Sequence, residues 1–202
     1  MPADQPSIKG SAIAAVIEDV QKLRDSGRLG EEQLEARLEA VDLALLDKRV
    51  QAALWYPIES YRRLTELLLD VEGRGHPSYV VDRGARAAER LWEAGLYIQL
   101  QHGEERAERA RAEGGVLSER DSRLITSLSG AIFNFSRWTY RTESGEGLIS
   151  VTDAAELPEI SVHAARGFLE YVISRLRRQD TPVRAERTAP DRVEFRFALS
   201  LG

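Results

Sequence analysis

"IFNFSRWTYRT", Ile132 to Thr142, is the stretch at which the period of the chain changes. Upstream, apolar residues recur every three or four positions. Here they alternate, with Phe133 and Phe135 in one phase and Trp138 and Tyr140 in the other. Alternation suits a strand with one buried face, and the slip between the two pairs predicts a bulge. "ESGEG", Glu143 to Gly147, is a Gly-containing turn, and "LISVTD", Leu148 to Asp153, is a returning strand, so the segment predicts a β-hairpin.

Working toward the C-terminus, "ELPEISVHAARGFLEYVISRLRR", Glu156 to Arg178, has the clearest helical spacing in the chain. At 100° per residue, Val162, Ala165, Phe168, Leu169, Val172, Ile173 and Leu176 share one face. "TPVRAERTAPDRVEFRFALSL", Thr181 to Leu201, predicts a second hairpin turning at Ala189-Pro190-Asp191. In it Val193, Phe195, Phe197 and Leu199 alternate with Glu194, Arg196 and Ala198. Hairpin, helix, hairpin is most economically a four-stranded antiparallel sheet with one face covered by helices.

Working toward the N-terminus, the spacing predicts helices. Ile13, Val16, Ile17, Val20 and Leu23 form the stripe of a first helix, which Ser26-Gly27 ends. "GEEQLEARLEAVDLALL", Gly30 to Leu46, reads as one second helix with Leu34, Leu38, Val41 and Leu45 on its stripe. In "AALWYPIESYRRL", Ala52 to Leu64, Pro57 suits the first turn of a third helix continued by Ile58, Tyr61, Leu64, Leu68 and Val71. Trp55 and Tyr56 then stand at its entry, where packing back onto the first turns accounts for them. After the turn "EGRGHPS", a fourth helix is expected from about Tyr79 to Gln101 with Gly103 as its stop. "GEERAERARAEGG", Gly103 to Gly115, reads as a solvated helix or a linker, and "SERD" at Ser118 to Asp121 as the cap of a short helix through Leu124, Ile125 and Leu128. The class is α+β: a helical region over 1–117 packed with a hairpin–helix–hairpin region over 118–202, as one unit.

Composition narrows the chemistry. The 202 residues are 43% hydrophobic and 30% charged, near globular averages. The absence of cysteine excludes disulfides, iron–sulfur clusters and thiol nucleophiles. The N-terminus has no basic and apolar leader pattern and the longest apolar run is "AIAAVI", which reads as a cytoplasmic protein with no membrane partner. A net charge of −5 argues against general nucleic-acid affinity. The basic cluster of Arg175, Arg177, Arg178, Arg184, Arg187, Arg192 and Arg196 does not change this, because Phe195 and Arg196 alternate to opposite faces and would not share a stacking surface.

No residue set points to a reaction. His163 falls among Arg166, Glu170 and Ser174 on a polar helix face, His102 at a helix end, His76 in a turn, and no two histidines have the i, i+4 spacing of a helical metal site. Carboxylates alternate with arginines on solvent faces, Ser144 is not in a nucleophile elbow, and no glycine cluster has phosphate-loop spacing. The reading is a non-enzymatic module with no metal and no cofactor. Its candidate site is aromatic: Trp55, Tyr56, Tyr61, Trp92, Trp138 and Tyr140, in a cavity or surface between the helical half and the sheet, for a small apolar ligand or a protein partner. A homodimer is one option.

"IKGSAIAAVIEDV", "WYPIESYRRL", "GFLEYVISRL" and "RVEFRFAL", in that order, resemble a myxobacterial paralogous family of about 200-residue proteins of unknown function. The C-terminal part also resembles the heme-nitric-oxide-binding and 4-vinyl-reductase-like fold. The resemblance implies that fold and a sensory role for a small molecule. Heme sensors of that superfamily use a helical histidine and a Tyr-x-Ser-x-Arg signature; no Tyr-x-Ser-x-Arg occurs in this chain and His163 is expected to face solvent, so heme is not implied with the fold.

Overall fold

In the computed structural model, which describes residues 5–93, 125–127 and 130–199, the chain opens with a short strand, β1 (Ser7–Lys9), that runs directly into helix α1 (Gly10–Asp25). All five apolar stripe positions of α1, from Ile13 to Leu23, are buried. Gly27, at φ 71°, turns the chain away, a conformation glycine adopts without a Cβ penalty.

The second helix is not one helix. It is split into α2 (Glu31–Arg37) and α3 (Ala40–Leu46), with Leu38 and Glu39 extended between them. The cause is Asp42, whose carboxylate accepts the Glu39 backbone N–H at 3.0 Å and so starts a new helix. Arg63, on helix α4 (Ile58–Val71), grips the same carboxylate at 2.6 and 3.1 Å. The break turns Leu46 into the core and leaves Val41, a residue of the expected stripe, exposed.

Trp55 and Tyr56 do not staple a helix entry. They form strand β2 (Trp55–Pro57), antiparallel to β1 with Ile8 opposite Tyr56 and Lys9 opposite Trp55. Three-residue strands are too short to show alternation, which is why the periodicity missed both. Pro57 caps α4 from just outside its first turn. Helix α5 (Ser78–Glu93) is described as far as Glu93. The expected continuation to Gln101, the Gly103–Gly115 segment and the Ser118–Asp121 cap lie outside the described residues, and Ile125–Ser127 are helical.

The phase slip at Phe133 to Tyr140 is not a bulge. Strand β3 (Arg137–Glu143) starts only after it, and Phe133 instead makes an isolated antiparallel bridge to Ile8. The Lys9 N–H donates to the Ile132 carbonyl at 2.9 Å, and the Ser7 N–H to Asn134 Oδ1 at 2.7 Å. The slip is therefore the junction where the chain leaves β1 and enters the second sheet. That sheet has the antiparallel order β3, β4 (Glu146–Thr152), β6 (Arg192–Ala198), β5 (Arg184–Ala189). Ser144 and Gly145, at φ 52° and 80°, form the two-residue turn between β3 and β4 whose twist matches paired strands. The irregularity in the sheet lies at Arg187/Ala189, beside the Pro190 turn.

Helix α6 (Glu159–Arg177) connects the hairpins and crosses α5 with their backbones in contact. A Cβ on Gly84 would stand 1.9 Å from the Ala164 carbonyl oxygen, and one on Gly167 1.9 Å from that of Val81. Buried side chains from α1 and α4, such as Ile17 and Leu64, and from the sheet, such as Ile149 and Phe195, belong to one contiguous apolar cluster. Among the described residues no helix is long and apolar enough to cross a membrane.

Candidate functional site

The six aromatic candidates separate into three settings. Trp138 and Tyr140 alternate on the inner face of β3, an edge strand, and both are half-buried. Cross-strand registration places Val151 and Ile149 opposite them, with Val193, Phe195 and Phe197 next along the same face. The rings form a ladder. Trp138 lies parallel to Phe195 at 5.7 Å and to Phe133 at 6.3 Å, Phe135 meets Phe133 edge-on at 5.7 Å, and Tyr140 lies on Phe197 at 6.3 Å. The Trp138 indole N–H donates to Ser136 Oγ at 3.0 Å, which satisfies its one polar atom.

Trp55 and Tyr56 belong to the other sheet. The Lys9 ammonium stands 3.9 Å from the Trp55 ring centroid and donates to the Ala53 carbonyl at 3.1 Å. The Tyr56 hydroxyl accepts the Gln51 N–H at 2.9 Å, and its ring closes over Gly10, where a Cβ would meet it at 2.9 Å. The loop before β2 is exposed from Gln51 to Leu54, and Leu54 is 49% exposed. Tyr61 is buried within the helical half, where burial raises its pKa, so it is core and joins neither surface. Trp92, on α5, packs half-buried against the core. An aromatic patch of Trp55, Tyr56 and Tyr61 together, expected for a partner surface, is thus not what the fold builds. What it does build is a continuous route from Trp138 through Phe133 to β1, by way of the bridge to Ile8.

The carboxylates of Asp42 and Asp19 are each paired with an arginine. Burial alone would raise the Asp42 carboxyl, but hydrogen bonds from Arg63 outweigh it and hold the pKa below the ordinary 3.8. Asp19 behaves likewise: Lys22 and Arg83 overcome its partial burial. Arg83 reaches Asp19 at 2.7 Å and the Tyr79 hydroxyl at 3.2 Å, tying α5 to α1. His76 is exposed in its turn and His163 is half-buried on α6; His102 lies outside the described residues. Among the described residues no group of three His, Cys, Asp or Glu side chains is placed to hold a metal ion. A groove of about 610 Å³ between α1 and the segment after α3 is lined by Ile17, Gln21, Arg24, Leu46, Lys48 and Val50, among others. Two of those residues are already engaged: Gln21 donates to the Leu46 carbonyl and Arg24 pairs with Asp47.

The alternation in the sequence places Trp138 and Tyr140 on one face of a strand, as β3 has them. Sequence reasoning missed Asp42–Arg63 and the Gly84–Gly167 crossing, because each joins residues distant in the chain whose types are ordinary where they stand.

No family model and no curated protein matches the chain. Solved structures of H-NOX domains do match in fold. A Cs H-NOX mutant carrying 4-cyano-L-phenylalanine aligns with TM-score 0.57 over 96% of this chain and 97% of its own, at 13% identity. A mutant of the T. Tengcongensis H-NOX aligns with TM-score 0.58 over 96% and 98%, at 12% identity. An oxygen-binding H-NOX domain related to soluble guanylate cyclases, in its oxygen complex, aligns with TM-score 0.53 over 96% of both chains, at 12% identity. At these identities the likeness shows that this chain has an H-NOX-like α+β fold.

Proposed function

We propose that the chain is a non-enzymatic sensory or binding module that takes a small apolar ligand against the inner face of β3, with Trp138 and Tyr140 as its contact residues. The observation that carries this reading is that both rings lie on an edge strand, backed by Phe195 and Phe197 yet half-exposed themselves. Flat rings held in place by their neighbours and left half-exposed bind apolar molecules at little entropic cost. The H-NOX-like fold supports it, since one of the similar structures is an oxygen-binding domain. A non-enzymatic role is supported by Asp19 and Asp42, both held ionised by arginines rather than raised for proton transfer. The cytoplasmic location read from the sequence is part of the same proposal.

The described residues identify no heme ligand. His76 is exposed in its turn, His163 is half-buried on α6, and His102 lies outside the described residues. No part of the proposal runs through heme.

A panel of small apolar compounds read by thermal shift tests the reading, because a ligand that binds only the folded state raises the melting temperature with concentration. Hits are expected to lose their shift in Trp138→Ala and to keep it in Trp55→Ala. No hits across the panel, or hits indifferent to Trp138→Ala, would overturn it. A second reading, a protein partner, is favoured by the exposed Ala52–Leu54 loop beside Trp55. It expects Leu54→Asp to abolish a pull-down while leaving the melting temperature unchanged.

A further inference from the structure

Arg177, the last residue of α6, is a half-buried cation whose hydrogen-bond partners among the described residues are all neutral. Its Nη1 donates to the Ala198 carbonyl at 2.6 Å and to Thr181 Oγ1 at 3.1 Å, and its Nη2 to the Leu199 carbonyl at 2.8 Å. Its Nε is buried with no hydrogen-bond partner among the described residues. A guanidinium carries five N–H donors, so Nε–H and one hydrogen of Nη2 are left over. Nε and Nη2 together form one edge of the guanidinium, the fork that meets both oxygens of a carboxylate. Burial lowers the Arg177 pKa, and among the described residues Tyr140 is the titratable side chain acting on it.

The position of this edge ties it to the aromatic face. Ala198 directly follows Phe197, and the Phe197 ring lies under Tyr140. The Arg177 head thus lies beside the residue that follows Phe197, near enough to Tyr140 for that side chain to act on its charge. Resting on the reading of that face as a ligand site, we infer that its ligand is an apolar carboxylate, with the apolar body on Trp138 and Tyr140 and the carboxylate on the Nε–Nη2 edge of Arg177. Fastening the end of β6 would need only the three carbonyl and hydroxyl contacts. A carboxylate would supply the missing charge and the missing acceptors together.

The test is a matched pair of probes, 2-naphthoate and its neutral analogue 2-naphthylmethanol, titrated by tryptophan fluorescence into the full chain, Arg177→Gln and Arg177→Lys. In the parent chain the carboxylate is expected to bind about tenfold or more tighter, in line with charge-assisted bidentate bonds. Arg177→Gln should abolish the preference without weakening the alcohol. Arg177→Lys, which keeps the charge and loses the fork, should retain only part of it, and it serves as the reading if Arg177→Gln does not fold. Equal binding of the two probes, or a preference that survives both variants, overturns the carboxylate while leaving the aromatic site standing. Binding of neither probe overturns both.

Discussion

Gly167→Ala puts the α5–α6 crossing to a quantitative test. The added methyl would sit 1.9 Å from the Val81 carbonyl oxygen, whereas carbon and carbonyl oxygen approach in proteins to no less than about 3.3 Å. The helices must part by more than about 1 Å. The obstacle is backbone, so no side chain can rotate away, and Gly84 repeats the same contact against Ala164 about one turn along. Overpacking of this kind costs about 1–3 kcal/mol. Against it stands the helix propensity of alanine, better than glycine by about 1 kcal/mol in a helix interior. The crossing should win, because separating the axes also loosens Leu169, Val172 and Ile173, all buried on α6. Chemical denaturation should show a net loss of about 1–2 kcal/mol, or a fall of about 2–8 °C in Tm for a chain of this size. Gly30→Ala is the control: a Cβ there meets nothing closer than 3.8 Å, and the change should be within about 0.5 kcal/mol. If Gly167→Ala equals or exceeds the parent in stability, the helices are not in backbone contact and the packing argument fails.

Arg63→Ala leaves the Asp42 carboxylate buried without its partner. The loss should fall toward the lower end of about 3–5 kcal/mol, because Arg63 itself keeps 14% of its side-chain surface in water. Asp42 also sets a pH dependence. Its pKa in the fold is below the unfolded 3.8, so its contribution is complete above that value and drains away as pH falls through the folded pKa. Removing Arg63 leaves burial to raise the pKa instead. The deficit of Arg63→Ala should therefore be largest near neutrality and shrink below about pH 4; a deficit that grows with acid would refute the pairing. Trp55→Ala removes a cation–π contact at the surface and should cost only about 0.5–1 kcal/mol, measured by urea unfolding. A loss of several kcal/mol would mean that Trp55 is core.

Much of this architecture is legible in the alternation and the helical stripes. Val193, Phe195 and Phe197 alternate inward as their spacing requires, the α1 stripe is buried throughout, and the α4 stripe is buried from Ile58 to Leu68 with Val71 partly covered. What the sequence hid depends on partners far along the chain. Asp42 looks like one more polar residue on an exposed helix face until Arg63, 21 residues later, turns it into a helix start. Phe133 looks like a strand residue in the wrong phase until Ile8 is found across from it. Trp55 and Tyr56 fell to the helix that follows them because a three-residue strand leaves no period to detect. Of the six aromatic candidates, residue type alone could not separate Tyr61, which fills the core, from Trp138 and Tyr140, which an edge strand leaves half-open.

The three tryptophans stand in three different settings, which makes them reporters of where a ligand sits. Fluorine NMR of the chain labelled with 5-fluorotryptophan, titrated with 2-naphthylmethanol, should shift the Trp138 resonance and leave that of Trp55 in place, each assigned by its single Trp→Phe variant. A titration that moves Trp55 while Trp138 stays fixed would contradict the account at its centre.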